Sequence, residues 1–422
     1  MIFNKNKTSF LFYLFIITIL IVNSCSNDLD VIFPEWGNNS QLNNTIPLTD
    51  EMKSRFEGIY EVEQGSDQFG NSVVIQWNGN YLSIYTGKNT GYLLMQGGKL
   101  ESTVYLEGLW RYQNSANTGL SQLSMTEGAE YVLGTSPDSS GIVLEGTWGK
   151  NEDHPQEALK FRFIRPIKPE LLQNKFYIIS HHGSGGGPEY LQQTENTIEI
   201  CKIIERYGAN GIELDVRISK DGIPFMYHDN ALNPRLVQKG SLIGEPEKYS
   251  FKELHSFVRL IHGEQIPSLG AILDAIVTET TLEFVYVDCK PSSEPGLATI
   301  ASVCESARQK AASLNREVNI YMAITTDDLY NAFLQLPNYQ NIPTICELDI
   351  GKLQQLNSQV WSPRFTEGTQ NSTVASLHSQ GKLAITWTVD IPDLIYQYFS
   401  EGIFNGMLTD YCTQLAYYYY GQ

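Results

Sequence analysis

The sequence predicts a multidomain protein: an all-β domain, either a sandwich or a small barrel, followed by an α/β domain of the TIM-barrel type. Three observations carry this reading. The chain has 422 residues, more than one ordinary domain holds. Residues 52–167 read as short alternating runs such as SVVIQWNGNYLSIYTG and TVYLEGLWRYQ, broken by Gly, Asn and Ser; this is strand grammar of period two. After Pro169 strand-like runs alternate with helical ones, the rhythm of parallel βα units.

The N-terminus predicts export. Lys5 and Lys7 precede the apolar run FLFYLFIITILIV over 10–22, which is short for a membrane span and has the dimensions of a signal-peptide core. It ends at Val22-Asn23-Ser24-Cys25. Small residues before a Cys resemble a bacterial lipobox, in which Cys25 is lipidated and becomes the mature N-terminus; the alternatives are an ordinary signal peptide or an uncleaved anchor. The expected divisions are a leader at 1–24, a tether at 25–48 rich in Asn, Asp, Ser and Pro, the β-domain at 49–167 and the barrel at 170–422. The expected location is the outer membrane, on its periplasmic or surface face, with the lipid as the membrane contact.

A formal net charge of −18 opposes approach to phosphate backbones and excludes nucleic acid as the natural partner. Beyond Cys25 lie Cys201, Cys289, Cys304, Cys346 and Cys412. Their odd number and the lack of C-x-x-C spacing argue against a disulfide framework or a thiolate zinc site. They read as small buried hydrophobes.

Within the β-domain an apolar-Glu-Gly-x-aromatic echo recurs as Phe56-Glu57-Gly58-Ile59-Tyr60, Leu106-Glu107-Gly108-Leu109-Trp110 and Leu144-Glu145-Gly146-Thr147-Trp148. Its irregular spacing does not make a solenoid. No titratable cluster stands out here, so a glycan, lipid or protein ligand and a purely structural role both stay open. Arg165-Pro166-Ile167-Lys168-Pro169 reads as the linker.

In the second half the expected strands are 175–180, 212–216, 224–227, 282–289, 318–324, 343–348, 383–389 and 406–409, with helices at 196–207, 269–278, 297–314, 326–336 and 372–380. A doubly wound sheet is the alternative. No helix separates the second and third of these strands, a departure from a regular barrel. Residues 231–267 read as a small inserted unit over the mouth. Gly183-Ser184-Gly185-Gly186-Gly187-Pro188 lacks the Gly-Lys-Ser/Thr ending of a phosphate loop and reads as a loop at the mouth. Asn196, with Glu199 three residues on, reads as a helix cap.

Side chains that act in such a barrel stand at the C-terminal ends of its strands. His181 and His182 end the first expected strand, Glu213 and Asp215 lie on the second, and His228 ends the third. Asp288 and Lys290 lie near the end of the fourth, Asp390 follows the seventh and Asp410 the eighth. Strand period puts Glu213 and Asp215 on one face, and Asp288 and Lys290 likewise. Three converging carboxylates repel unless a cation holds them; oxygen ligation suits Ca²⁺ or Mg²⁺, and a salt-bridge cluster around Lys290 is the alternative. Two imidazoles in one mouth suit general acid–base work. His154, His255, His262 and His378 read as structural.

Taken together, these residues resemble the glycerophosphodiester phosphodiesterase family. Its His-Arg-Gly and Pro-Glu-Asn-Thr motifs are matched by His181-His182-Gly183 and Thr194-Glu195-Asn196-Thr197. Its Ile-Glu-x-Asp-Val, Lys-Asp-Gly and His-Asp series is matched by Ile212-Glu213-Leu214-Asp215-Val216, Lys220-Asp221-Gly222 and His228-Asp229. Ile266-Pro267-Ser268-Leu269, Asp288-Cys289-Lys290, Trp387-Thr388-Val389-Asp390 and Leu408-Thr409-Asp410 continue it, over about 175–415. The resemblance implies a TIM barrel with a divalent cation, Ca²⁺ or Mg²⁺, held by Glu213, Asp215 and Asp288. It implies His181 and His228 as the acid–base pair and Lys290 against the phosphate. It also implies Trp387 beside the alcohol part of the substrate and Glu195 close to the site. His182 replaces the family's Arg, a phosphate contact, and Asp288 is one methylene shorter than the family's Glu. The implied activity is hydrolysis of glycerophosphodiesters, small-molecule substrates, to sn-glycerol 3-phosphate and an alcohol. A related barrel phospholipase acting on phosphoinositides or sphingolipids, and a non-catalytic surface binding lipoprotein, are the alternatives.

Overall fold

Two closed barrels of opposite strand sense are joined end to end in sequence. The computed structural model describes residues 33–138, 141–151, 154–173, 175–183, 191–240, 242–290 and 293–422. The leader, Cys25 and most of the glycine-rich stretch at 183–188 lie outside the described residues.

The first barrel is built from β1 (Ile46–Pro47), β2 (Gly58–Gln64), β3 (Ser72–Asn78), β4 (Tyr81–Thr86), β5 (Gly91–Leu100), β6 (Thr103–Tyr112), β7 (Thr118–Glu127), β8 (Val143–Trp148) and β9 (Glu157–Arg165). Each of β2 to β9 pairs antiparallel with its sequence neighbours, and β2 closes on β9. Of the sandwich and the small barrel expected from the sequence, the barrel is the one formed. Period two sends alternate side chains inward. Val73, Ile75, Leu82, Ile84, Leu93 and Met95, with Trp110 and Phe161, form one apolar cluster.

The Glu-Gly echo has a physical basis. A Cβ on Gly108 would stand 1.9 Å from the Leu94 carbonyl oxygen, and one on Gly146 would stand 2.1 Å from that of Gln122. The neighbouring strand's backbone approaches too closely there for any side chain. The tether expected at 25–48 shortens at its C-terminal end, because its polar residues find partners on the barrel. The Trp36 indole donates to Gly108 O at 3.2 Å, the Gln41 backbone N–H donates to Glu107 at 2.9 Å, and β1 pairs with β5.

The second barrel comprises β10 (Tyr177–Ser180), β11 (Gly211–Ile218), β12 (Pro224–Met226), β13 (Phe284–Cys289), β14 (Asn319–Ile324), β15 (Thr344–Cys346), β16 (Val360–Trp361), β17 (Leu383–Thr386) and β18 (Gly406–Thr409). Its eight parallel staves are β10, β11, β13, β14, β15, β16, β17 and β18, with β18 and β11 both flanking β10. One expected stave is corrected. The run at 224–227 is not part of the ring: β12 folds back antiparallel on the end of β11, pairing Met226 with Val216. The place it leaves is taken by β16, whose two residues are too few for any periodicity to reveal. Tyr177, Ile179, Phe284, Ile345, Val360, Ile385 and Leu408 fill the ring, as in a packed TIM core. Helices at Leu269–Glu279, Glu294–Ser313, Asp327–Phe333 and Asn371–Ser379 surround it, together with Ile350–Leu356, Pro392–Glu401 and Cys412–Tyr420, which the sequence reading does not contain. The five cysteines beyond residue 33 are free and buried.

The two barrels share one apolar cluster. Val74, Tyr85 and Tyr92, on the outer faces of β3 to β5, join Tyr207, Leu415, Ala416 and Tyr419 in it. Directed contacts add to this. Ser83 Oγ donates to Arg206 O at 2.8 Å, Ser72 Oγ and Tyr417 OH lie 2.8 Å apart, and the Arg206 guanidinium sits 3.7 Å over the Tyr81 ring. Residues 33–422 therefore pack as one unit.

Candidate active site

Register alone brings the acidic groups together. β11 and β13 pair in parallel with Asp215 beside Asp288 and Glu213 beside Tyr286. Glu213, Asp215 and Asp288 each offer an oxygen within 4.8 Å of the others. Asp215 is fully buried. Lys290, two residues beyond Asp288, places Nζ 2.7 Å from Asp215 Oδ1 and 2.5 Å from Asp288 Oδ2. His182 places Nδ1 2.9 Å from Glu213 Oε2 and 2.7 Å from Asp215 Oδ2. One ammonium and one imidazole thus face three carboxylates.

These neighbours divide the acidities. Burial opposes a charge on Asp215, but His182, Lys290 and His228 outweigh it and hold its carboxyl well below the usual range. Burial raises the Asp288 carboxyl; Lys290 opposes the shift, while Asp215 and Glu213 add to it. Burial likewise disfavours charge on His182 and on Lys290, yet the surrounding carboxylates leave both groups with pKa values above their ordinary ones.

The residues fit a divalent cation. Glu213, Asp215 and Asp288 offer three carboxylate oxygens within 4.8 Å of one another, and Asp288 Oδ1 is a buried oxygen without a hydrogen-bond partner. Lys290 and His182 partly neutralise the cluster through Asp215, at 2.7 Å each. Converging carboxylates with a buried oxygen left over are what a hard cation satisfies.

Two further imidazoles flank His182, with ring centroids at 3.5 Å for His181 and 4.7 Å for His228. Each is held by a carboxylate. His181 Nδ1 lies 2.9 Å from Asp410 Oδ1, and His228 Nδ1 lies 2.7 Å from Asp229 Oδ1. A carboxylate on Nδ1 selects the tautomer that leaves Nε2 to exchange a proton. His228 arrives by way of the β11–β12 hairpin, and Arg217 pins that hairpin by donating to Tyr227 O at 3.0 Å and His228 O at 2.7 Å. The expected inserted unit has its own small core of Leu232, Leu236, Leu254, Val258 and Leu260 with Phe225 and Tyr227. From it Arg235 grips Glu195 at 2.9 and 3.0 Å and Asp229 at 2.7 and 2.9 Å. Burial opposes ionisation of Asp229, but hydrogen bonds from Arg235, Asn233 and His228 draw its pKa below the ordinary carboxylate value.

Trp387 follows β17, donates to Ser362 O at 2.9 Å and carries Arg364 over its ring at 5.8 Å. Glu347, beyond β15, bonds the Tyr286 hydroxyl and is pushed up to about 8, first by burial and then by Asp288 and Glu213 against that bond.

The sequence reading gives no functional place to Glu347, Arg217, Arg235 or Asn196. For Arg217 a signal existed: it is two residues past Asp215 on the same strand face. Asn196 is not the helix cap. Thr197 caps Ile198–Cys201, accepting from Ile200 N. Asn196 instead takes a left-handed backbone (φ 59°), which Asn tolerates better than most residues. Its amide clasps Asp215, donating to Oδ2 at 2.7 Å and accepting from the backbone N–H at 2.8 Å.

A parallel eightfold barrel with carboxylates, lysine and paired imidazoles at the C-terminal rim defines the class of enzyme-type α/β barrels. Residues 181–413, more than half of the chain, match the Glycerophosphoryl diester phosphodiesterase family. The chain belongs to that family.

A glycerophosphodiester phosphodiesterase of Bacillus altitudinis is 31% identical over 121 residues, covering 27% of this chain and 45% of that protein. Glycerophosphodiester phosphodiesterase 1 of Rattus norvegicus is 23% identical over 147 residues, covering 34% of this chain and 41% of its own. The chain thus spans less than half the length of these curated relatives. Among solved structures, a glycerophosphodiester phosphodiesterase from Parabacteroides distasonis is 18% identical, with a TM-score of 0.46 over 59% of this chain and 99% of its own. An Oleispira antarctica phosphodiesterase in complex with sn-glycerol-3-phosphate is 18% identical, with a TM-score of 0.44 over 56% and 94%.

Proposed function

We propose that the chain hydrolyses glycerophosphodiesters to sn-glycerol 3-phosphate and an alcohol, with Ca²⁺ or Mg²⁺ held by Glu213, Asp215 and Asp288. The observation that carries this reading is the pair of imidazoles, His181 and His228, each backed by its own carboxylate and set around that acidic cluster.

One imidazole takes the proton of the attacking oxygen, from water, or from a neighbouring substrate hydroxyl, whose attack gives a cyclic phosphate that a water then opens to the monoester. The phosphorus–oxygen bond to the head group breaks, and the other imidazole delivers a proton to the departing alkoxide. Lys290 offsets charge that gathers on the phosphoryl oxygens. A bound divalent cation supplies Lewis-acid stabilisation of that same charge. Asn196 and Lys290 hold Asp215 in place, and Arg235 holds Asp229 behind His228. His182, in the position of the family's Arg, lies against Glu213 and Asp215, and Trp387 lines the alcohol side. Cys25 would tether the catalytic barrel to the membrane on the exported side.

The test is ³¹P NMR of the full chain with glycerophosphocholine and glycerophosphoethanolamine. The expected product is glycerol 3-phosphate, with turnover lost in EDTA and restored by Ca²⁺ or Mg²⁺. Indifference to chelation would remove the cation from the reading. Cleavage of intact phospholipids alone would move the protein to the related lipases, and no turnover on any diester would leave a binding protein.

A further inference from the structure

The antiparallel barrel reaches the catalytic rim through the side chain of Gln113. Gln113, just past β6, is almost fully buried at 1% exposure. Its Nε2 donates to the backbone oxygen of Asp410 at 3.1 Å, and its Oε1 accepts from the Thr413 hydroxyl at 2.8 Å. Gln113 is itself anchored: its backbone N–H donates to Thr90 O at 3.3 Å, and Thr413 Oγ1 reaches that same carbonyl at 3.3 Å. Asn89 and Thr90, in the turn between β4 and β5, have φ of 53° and 52°. A β-branched residue rarely adopts this backbone unless its surroundings hold it there.

Asp410 is the residue whose carboxylate meets His181. Its backbone N–H is fixed by Asp390 Oδ1 at 2.8 Å and its backbone C=O by Gln113. With its backbone held on both sides, Asp410 has its Cα fixed at the rim, and from there its carboxylate meets His181 Nδ1 at 2.9 Å. A domain serving only as a spacer needs nothing beyond apolar contact, which Tyr85, Tyr92, Leu415 and Ala416 already supply. A buried amide is costly unless its hydrogen bonds are made, and here they are made to the segment that carries the orienting carboxylate.

We propose that Gln113 is a positioning residue for His181, acting through Asp410, so that the β-barrel completes the active site from outside the catalytic domain. This rests on the reading of His181 as an acid–base group.

The experiment uses the full chain, saturating divalent cation and a soluble glycerophosphodiester. Gln113→Met keeps length and removes the donor. Ser83→Ala is the matched control, because it removes another side-chain-to-carbonyl bond across the same interface, from Ser83 to Arg206 O, away from the rim. Gln113→Met is expected to lower kcat about 5- to 10-fold, the effect of one lost buried hydrogen bond, with KM within about 2-fold. Ser83→Ala is expected to lower the thermal midpoint and leave kcat unchanged. Should Gln113→Met not fold, Gln113→Glu, which keeps the shape and the acceptor for Thr413, reads the same kcat. Equal kcat in wild type and a folded Gln113 variant, a loss confined to KM, or an equal kcat loss in Ser83→Ala would each overturn the proposal. His181→Ala separates the two claims. If it is inactive while the Gln113 variants are not, only the positioning role fails; if it is fully active, the acid–base reading fails.

Discussion

The two barrels solve the same closure problem with opposite strand sense, and their polar groups end up in opposite places. In the antiparallel barrel sequential strands pair directly, alternate side chains turn inward, and the inside is sealed by Trp110, Phe161, Tyr60 and their neighbours. In the parallel barrel the eight staves all run the same way, so they end at one rim. Polar side chains collect there while Ile179, Ile345 and Ile385 fill the ring below. Parallel closure builds a mouth, and antiparallel closure builds a plug. The plug is nevertheless tied to the mouth, through the shared cluster around Tyr92 and Tyr207 and through Gln113.

The largest effect expected to sharpen this contrast is on chemistry. His228→Ala should lower kcat by about 10²- to 10⁴-fold, the usual contribution of a general acid or base, with an unchanged circular dichroism spectrum. Wild-type turnover in that variant would empty the mouth of its assigned role. Trp110→Ala should act on the other barrel and on stability, costing about 3–5 kcal/mol as a large buried aromatic, measured by urea unfolding. A loss of turnover without a loss of stability would contradict the plug. Asn196→Ala should weaken divalent-cation binding about 10- to 100-fold, as loss of a partner that orients a ligand does, read by isothermal titration. Unchanged affinity would mean that the clasp on Asp215 is not used.

The smallest expected effect is a pH dependence. Burial, followed by the charge of Asp410, raises Asp390 to about 6. An acid whose pKa is raised by folding stabilises the native state fully below its unfolded pKa and loses that contribution as pH climbs through the folded one. Stability should therefore fall between about pH 4 and about pH 6, by on the order of 1 kcal/mol for a partly exposed group. Asp390→Asn should flatten that slope in urea titrations, and an identical slope in the variant would reject the assignment.

Much of the molecule was legible before any coordinates. Period two exposed the β-rich half, and the change of grammar at Pro169 marked the second domain, because alternation and crossover helices are properties of local sequence. Glu213 with Asp215, and Asp288 with Lys290, could be placed on shared faces for the same reason. The stave at Val360–Trp361 was not legible, since two residues carry no period. The run at 224–227 reads as a stave because strand propensity does not say whether a strand's partner runs parallel or antiparallel. Asn196 followed a capping pattern, yet its side chain went to Asp215, a residue brought near only when β10 and β11 pair.

Sequence by itself determined the two strand grammars, the chemistry of the rim residues and the family's connected motifs, because each is written in short-range order along the chain. Tertiary structure alone decided that Asp215 lies beside Asp288, that Arg235 stands behind His228, and that Gln113 touches the residue orienting His181. These contacts join positions tens to hundreds of residues apart, and only barrel closure and interdomain packing set their distances.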